Sequence, residues 1–497
     1  MQLRLTTLAS IAMLVAALVV RPFTGGADDL PFHVAGIAGF QGDNRVAHQA
    51  GDTFEYSEDL AIEFSQPVDV ESFKAGYAIA PQTPSSVYPI DYGRTMRLTI
   101  RKVPGVSYSV SISAGVRSRD GAALGRDFVV RFTTPAGVDI PKPARATPGE
   151  PYRYGALEHP FPFSLSGPVA DKQIDLLARA RVRFVRIDYC GSQIESNPGR
   201  YDWSVEDGIL EKLARRGITE LPVVDQYCAP TWATGGHGYP AIWQDPSDYA
   251  AFAGAIAAHV AMKSPAIGRI ELFNEPNLHG WWQNPNPLYA ARDGSATSAY
   301  MSAAYAAVKR AHPRLLVVGP ALADGGNDTD PRKFLTTMYD SGCARGRCWD
   351  VLSVHNYRWF NPTFHTNASD QNRWDIYRTL QQIAAAHGDA GTHIMLTEWG
   401  FSTAQQSPEG LDPAVQARYV ALGLNLMLAD PTVDGIVYVN VYNPAQDFWG
   451  RTSLTNGDFS TLPAFDVLRA FSAGANVERG ARSPAHRSQR LARSTNV

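Results

Sequence analysis

The chain predicts an α/β fold, a TIM-type (β/α)8 barrel, preceded by a small all-β sandwich. Two observations carry this. From Tyr152 to about residue 472, apolar runs of strand length alternate with amphipathic stretches of helix length, the rhythm of a parallel sheet covered on both faces. From 31 to about 136 the runs are shorter, close to period two, and separated by Gly, Pro and Asp, as in antiparallel strands joined by turns. With 497 residues, the chain has room for both bodies and for a large core.

In chain order, residues 1–27 read as an export signal. Arg4 gives a positive start, Leu5 to Val20 an apolar run of 16 residues, and Gly25-Gly-Ala27 a small-residue cleavage site. The run is short for a membrane-spanning helix, which leaves an uncleaved anchor as the alternative and the only expected membrane contact. A secreted, periplasmic or cell-surface protein is expected. The sandwich strands are Ala61–Ser65, Met96–Arg101, Tyr108–Ser113 and Phe128–Thr133. A passage rich in proline, 137–151, has no periodicity and reads as a semi-rigid linker. The barrel (152–472) takes strands at Tyr152–Ala156, Phe184–Ile187, Leu221–Val224, Ile270–Phe273, Leu315–Val318, Val351–Val354, Ile394–Leu396 and Gly435–Val439. Helical stretches lie between them, at Val169–Arg181, Val205–Arg216, Tyr249–Lys263, Ser298–Ala311 and Arg373–His387. An open doubly wound sheet is the structural alternative, but no Gly-rich phosphate fingerprint supports it. The tail, 473–497, has several arginines and no apolar period, and reads as disordered.

Composition narrows the partners. The net charge is −3 with no basic stripe in the body of the chain, which argues against nucleic acid. Four cysteines in an exported chain invite pairing. Cys343 and Cys348 bracket a short step, while Cys190 and Cys228 each follow an apolar strand by three or four residues. Four free buried cysteines are the alternative. Neither pair has the Cys/His spacing of a metal site, and no cofactor is expected.

Barrel enzymes work at the carboxyl ends of their strands, and here those ends form a coherent polar set. Arg186 and Asp188 close the second strand, and Asp225, Gln226 and Tyr227 the third. Asn274 and Glu275 close the fourth, His355 and Tyr357 the sixth, Glu398 and Trp399 the seventh, Asn440 and Tyr442 the eighth. The segments Ile270-Glu-Leu-Phe-Asn-Glu-Pro-Asn277 and His393-Ile-Met-Leu-Thr-Glu-Trp-Gly400 each bring one glutamate to the mouth. Paired carboxylates facing one another across a barrel are the minimum equipment for hydrolysing a glycosidic bond with retention, one as proton donor and one as nucleophile. Arg186 and Tyr357 are candidates to keep Glu398 ionised. Asn274 offers an amide for a sugar hydroxyl. The rival carboxylates Glu195, Asp202 and Glu206 fall in a loop and a helix start, where capping suits them. Trp232, Trp281, Trp282, Trp359, Trp399 and Trp449 sit at or just after strand ends and mark a sugar track, with Trp281 and Trp282 the candidate leaving-group subsite.

These motifs resemble a known family. Asn274-Glu275-Pro276 after a fourth strand and Thr397-Glu398-Trp399-Gly400 on a seventh are similar to glycoside hydrolase clan A. The likeness is to its family 39 and family 5 members, of cellulase or β-xylosidase type. Val185-Arg-Ile-Asp188, Gly199-Arg-Tyr-Asp-Trp203, Val354-His-Asn-Tyr357 and Asp447 to Leu454 extend the match along the barrel. The resemblance implies Glu275 as acid/base and Glu398 as nucleophile, with Asn274, Arg186, His355 and Tyr357 as further site residues. It departs on the eighth strand, where many family 5 members place a stacking Trp and this chain reads Val439-Asn-Val-Tyr442. Trp449 or Tyr442 then takes that role. Residues 31–136 resemble bacterial immunoglobulin-like modules through Phe64-Ser-Gln-Pro-Val-Asp69, Ser109 to Gly121 and Phe132-Thr-Thr-Pro135, and a spacer or packing role is expected of them. The functional expectation is a retaining glycosidase acting on a β-linked polysaccharide or oligosaccharide. A glycosidase of another linkage, such as arabinan or exopolysaccharide cleavage, and a non-catalytic carbohydrate-binding protein are the alternatives.

Overall fold

The computed structural model describes residues 31–41, 44–143, 152–157, 168–236, 241–278, 294–324, 330–357 and 375–480. The expected export signal (residues 1–27) and the expected site residues Trp281, Trp282 and Trp359 lie outside these residues.

The N-terminal part is a pair of antiparallel sheets. One has five strands, in the order β2 (Asn44–Ala47), β1 (Val34–Gln41), β3 (Asp59–Phe64), β6 (Thr95–Ile100), β5 (Ser85–Ile90). The other has three, β4 (Tyr77–Ala80), β7 (Ser107–Ile112), β8 (Phe128–Thr133). Alternate residues of the strands, with Phe73 from the short helix α1 (Val70–Gly76), close a core of Phe64, Leu98, Tyr108, Val110, Val130 and Phe132. This arrangement is compatible with the immunoglobulin-like expectation.

Eight parallel strands then close a barrel: β9 (Tyr154–Leu157), β10 (Phe184–Tyr189), β11 (Thr219–Val224), β12 (Arg269–Leu272), β13 (Leu316–Ala323), β14 (Val351–His355), β15 (Ile394–Trp399) and β16 (Val433–Val439), with β9 pairing both β10 and β16. The surrounding helices are α2 (Pro168–Arg179), α3 (Gly191–Ile194), α4 (Ser204–Ala214), α5 (Pro246–Lys263), α6 (Ser295–Ala311), α7 (Pro331–Asp340), α8 (Ile376–Ala386), α9 (Pro413–Leu428) and α10 (Pro463–Gly480). Three of them start on Asp-Pro. Asp245, Asp330 and Asp412 accept from the backbone N–H of Ser247, Arg332 and Ala414, while the proline that follows has no N–H to leave unsatisfied in the first turn. Helix α10 continues to Gly480, past the boundary expected at 472. Residues 481–497 lie outside the described ones.

Alternation along the strands separates two cores. One face packs Leu, Ile, Val and aromatic residues against the helices. The other fills the barrel axis with Tyr152, Phe184, Leu221, Val318, Met395 and Val437, a packed plug on which the polar residues of the mouth rest. Both cysteine pairs are bonded, Cys190–Cys228 with Cα atoms 5.2 Å apart and Cys343–Cys348 at 5.4 Å. The first ties the ends of β10 and β11 together. The sandwich is joined to the barrel by Tyr56, which packs into the barrel's outer core. Arg418 of α9 also donates to the Asp139 carbonyl and Asn425 to that of Lys142.

Candidate active site

Arg186 projects from β10 into the barrel, fully buried, and holds three groups at once. Its Nε donates to Glu271 Oε2 at 2.5 Å, Nη1 to Glu398 Oε1 at 2.9 Å and Nη2 to Asn274 Oδ1 at 2.8 Å. Burial disfavours its charge, but the carboxylates of Glu271 and Glu398 outweigh that and raise its pKa. The other oxygen of Glu398 accepts from the Tyr357 hydroxyl at 2.5 Å. Burial, then the Glu398 charge, push the Tyr357 phenol well above its ordinary value, so it stays a donor.

Glu275 stands on a sharp turn after β12. Its backbone N–H donates to the Ala321 carbonyl at 2.8 Å. Phe273 and Glu275, on either side of Asn274, have φ of 68° and 49°, a left-handed region that bulky side chains rarely adopt and that clusters at functional sites. Gln226 pins the turn, accepting from the Asn274 N–H at 2.7 Å and donating to the Asn274 carbonyl. The Asn274 amide nitrogen donates to the Tyr227 hydroxyl at 3.0 Å. His355, buried at the end of β14, connects the two glutamates: Nδ1 lies 2.9 Å from Glu275 Oε1 and 3.5 Å from Glu398 Oε2. Burial lowers its pKa, but the charges of Glu398 and Glu275 prevail and raise it, so the imidazole carries its proton toward them. The nearest oxygens of Glu275 and Glu398 and a His355 nitrogen all lie within 4.8 Å of one another.

A second acidic pair lies beside this set. Asp225 is fully buried at the end of β11, and burial together with the charge of Asp188 pushes its carboxyl well above the usual range. Its Oδ1 accepts from the Tyr227 N–H at 3.1 Å.

Arg186, Asn274, Glu275, His355, Tyr357 and Glu398 are thus brought together as expected from the strand ends. Two aromatic expectations need correction. Trp399 is only 2% exposed and points away from the mouth, edge-on to Phe401 and Tyr438 and against Gly423 of α9, because it follows the inward-facing Glu398 by one residue. Tyr442 is covered face to face by Phe459 at 4.1 Å, so its ring is not open to a sugar. Trp449 is 51% exposed and meets Tyr357 edge-on at 5.1 Å. Trp232 packs on Trp243 and donates to the Glu195 carbonyl, which makes it a loop support. Glu195 and Asp202 accept backbone N–H groups of Gly199 and Ser204. Glu206, though in the first turn of α4, is buried, and burial raises its carboxyl to about 7. Glu271 lies inside an apolar run, where only strict alternation with Arg269 marks it as facing inward.

A closed (β/α)8 barrel with glutamates at the ends of its fourth and seventh strands defines a glycoside hydrolase of clan A. The family model for cellulase, glycosyl hydrolase family 5, matches residues 166–432, and the chain belongs to that family. No curated protein matches the chain. Among solved structures it is similar to a family 39 glycoside hydrolase from the gut symbiont Bacteroides cellulosilyticus WH2 (16% identity, 78% of this chain and 76% of that one, TM-score 0.48). It is also similar to a family 39 β-xylosidase from Caulobacter crescentus (18%, 67% and 73%, 0.48) and to the family 39 enzyme from Xanthomonas axonopodis pv. citri (17%, 65% and 67%, 0.49).

Proposed function

We propose that this protein is an exported retaining glycosidase that cleaves a β-linked polysaccharide or oligosaccharide by double displacement. The observation that carries this reading is the carboxylate spacing: an oxygen of Glu275 and one of Glu398 approach within 4.8 Å. Retaining enzymes hold their two carboxyl groups about 5–5.5 Å apart, while inverting ones leave about 6.5–9.5 Å for a water molecule. Glu398, gripped by a guanidinium and a phenol, is the nucleophile. Glu275 gives its proton to the departing oxygen and then activates the water that hydrolyses the glycosyl ester. His355, shared by both, holds their relative position as the proton leaves and returns. Trp449 offers an apolar face beside Tyr357 for the bound sugar ring. Membership of the cellulase family supports a β-linked glucan or related polymer as the first substrate to test.

Hydrolysis of a panel of β-linked polysaccharides and aryl β-glycosides by wild type, Glu275→Ala and Glu398→Ala tests the assignment. On the polysaccharides, whose leaving oxygen needs a proton, both variants should lose at least about a thousandfold in kcat/KM. Proton NMR of the first product should show the β-anomer. An α-anomer as first product, or two variants as fast as wild type, would sink it.

A further inference from the structure

Glu271 is fully buried and four residues ahead of Glu275, yet it touches neither the sugar site nor the proton path. Its Oε2 binds Arg186 Nε at 2.5 Å, and its Oε1 has no hydrogen-bond partner among the described residues. Arg186 therefore stands between two carboxylates, Glu271 behind it and Glu398 at the mouth, the latter 2.9 Å away. We propose that Glu271 is a positioning residue for the nucleophile, a standing counterion that keeps Arg186 paired while the charge of Glu398 is consumed and restored. This rests on the reading of Glu398 as nucleophile.

The charge balance through the reaction supplies the argument. In the first half-reaction a Glu398 oxygen bonds to the anomeric carbon, and the bond to the leaving oxygen breaks with its electron pair on that oxygen. The proton of Glu275 follows it. Glu398 becomes a neutral ester. Without Glu271, Arg186 would then lose both of the carboxylates that grip it, a costly state for a buried cation. With Glu271 in place it remains half of an ion pair throughout. The second carboxylate also keeps the guanidinium from binding Glu398 too well: a carboxylate stabilised by an unshared cation is a weaker nucleophile and a better leaving group. Other charged or titratable groups face this pair. Asp188 and Asp225 act on Arg186, while Tyr227, His355, Tyr357 and Glu275 surround Glu398. None of them bonds to the Arg186 Nε in place of Glu271.

Glu271→Gln keeps the shape and removes the charge. The probes are dinitrophenyl β-glucoside and β-xyloside and their 2-deoxy-2-fluoro analogues, which accumulate the glycosyl ester. In Glu271→Gln the acid limb of kcat/KM, which follows ionisation of the nucleophile, should move down by about one pH unit. Trapping by the fluoro-sugar should slow by about tenfold or more, and reactivation of the trapped enzyme should speed up. Glu271→Asp retains the charge and should keep the wild-type limb. An unmoved limb with unchanged trapping in Glu271→Gln overturns the proposal, as does a limb displaced in Glu271→Asp. Mass spectrometry of the trapped wild type separates the two levels. A label on a residue other than Glu398 removes the underlying reading, whereas a label on Glu398 with an unmoved limb removes only the role of Glu271.

Discussion

Tyr357 spends its hydroxyl on Glu398 while its ring edge meets Trp449, so one residue serves both the nucleophile and the aromatic wall. Tyr357→Phe removes a hydrogen bond to a charged group, worth about 1.5–3 kcal/mol, and should lower kcat/KM by roughly ten- to a hundredfold. Aryl glycoside kinetics beside an unchanged melting temperature would check it. Trp449→Ala, at an exposed position, should raise KM several-fold with kcat little changed, as loss of uniform binding does. Steady-state kinetics on an oligosaccharide separates the two constants. At this scale the sequence was readable wherever a polar residue ended an apolar run: Arg186, Asn274, Glu275, His355, Tyr357 and Glu398 all announce themselves so. It was unreadable where the direction of a ring decides the role. Trp399 and Trp449 look alike as letters, and only the strand parity of one and the loop path of the other send them to opposite sides.

The βαβ unit of β10, α4 and β11 carries a buried acid pair on its outer face. Glu220 accepts from the Tyr189 hydroxyl at 2.9 Å, and burial raises its carboxyl from 4.5 to about 8, with the charge of Glu206 adding to the effect. The folded state thus binds this proton more tightly than the unfolded chain. Stability from it is fully present below about pH 4.5 and is lost as pH rises toward 8. Glu220→Gln, still able to accept from Tyr189, should flatten that decline and stabilise the protein at pH 8 by roughly 1–4 kcal/mol. Melting temperatures of both proteins across pH 5–9 would show it. Helix α9 offers a second test. A Cβ on Gly423 would lie 2.3 Å from the Trp399 ring, so Gly423→Ala should cost about 1–3 kcal/mol by overpacking, read as a lowered melting temperature. The strand-and-helix rhythm could be read from periodicity, because each element buries one regular stripe. Glu206 and Glu220 could not, since a carboxylate in a helix or strand is ordinarily a solvated one, and only the facing element reveals its burial.

On the scale of the whole molecule, the sandwich is seated rather than tethered. Tyr56 enters the barrel's outer core and donates to the Pro135 carbonyl at 2.7 Å, while α9 grips the segment at Asp139 and Lys142. Calorimetry should therefore record one unfolding transition for both parts, and Tyr56→Ala should split it or lower it by several degrees. The barrel itself could be inferred from its eight repeats, but the docking could not, because it is made by single residues of a turn and a linker. The two disulfides differ in what they close. Cys343–Cys348 spans five positions, Cys190–Cys228 thirty-eight, which on a chain-entropy basis corresponds to about 2 and about 4 kcal/mol. The larger loop encloses all of α4 and all of β11. It is a covalent ring that can shut as soon as Cys228 has emerged, before the strands bearing Glu275 and Glu398 exist. An oxidising compartment would then supply the growing chain with a pre-closed quarter of the barrel, against which the later strands could add in order.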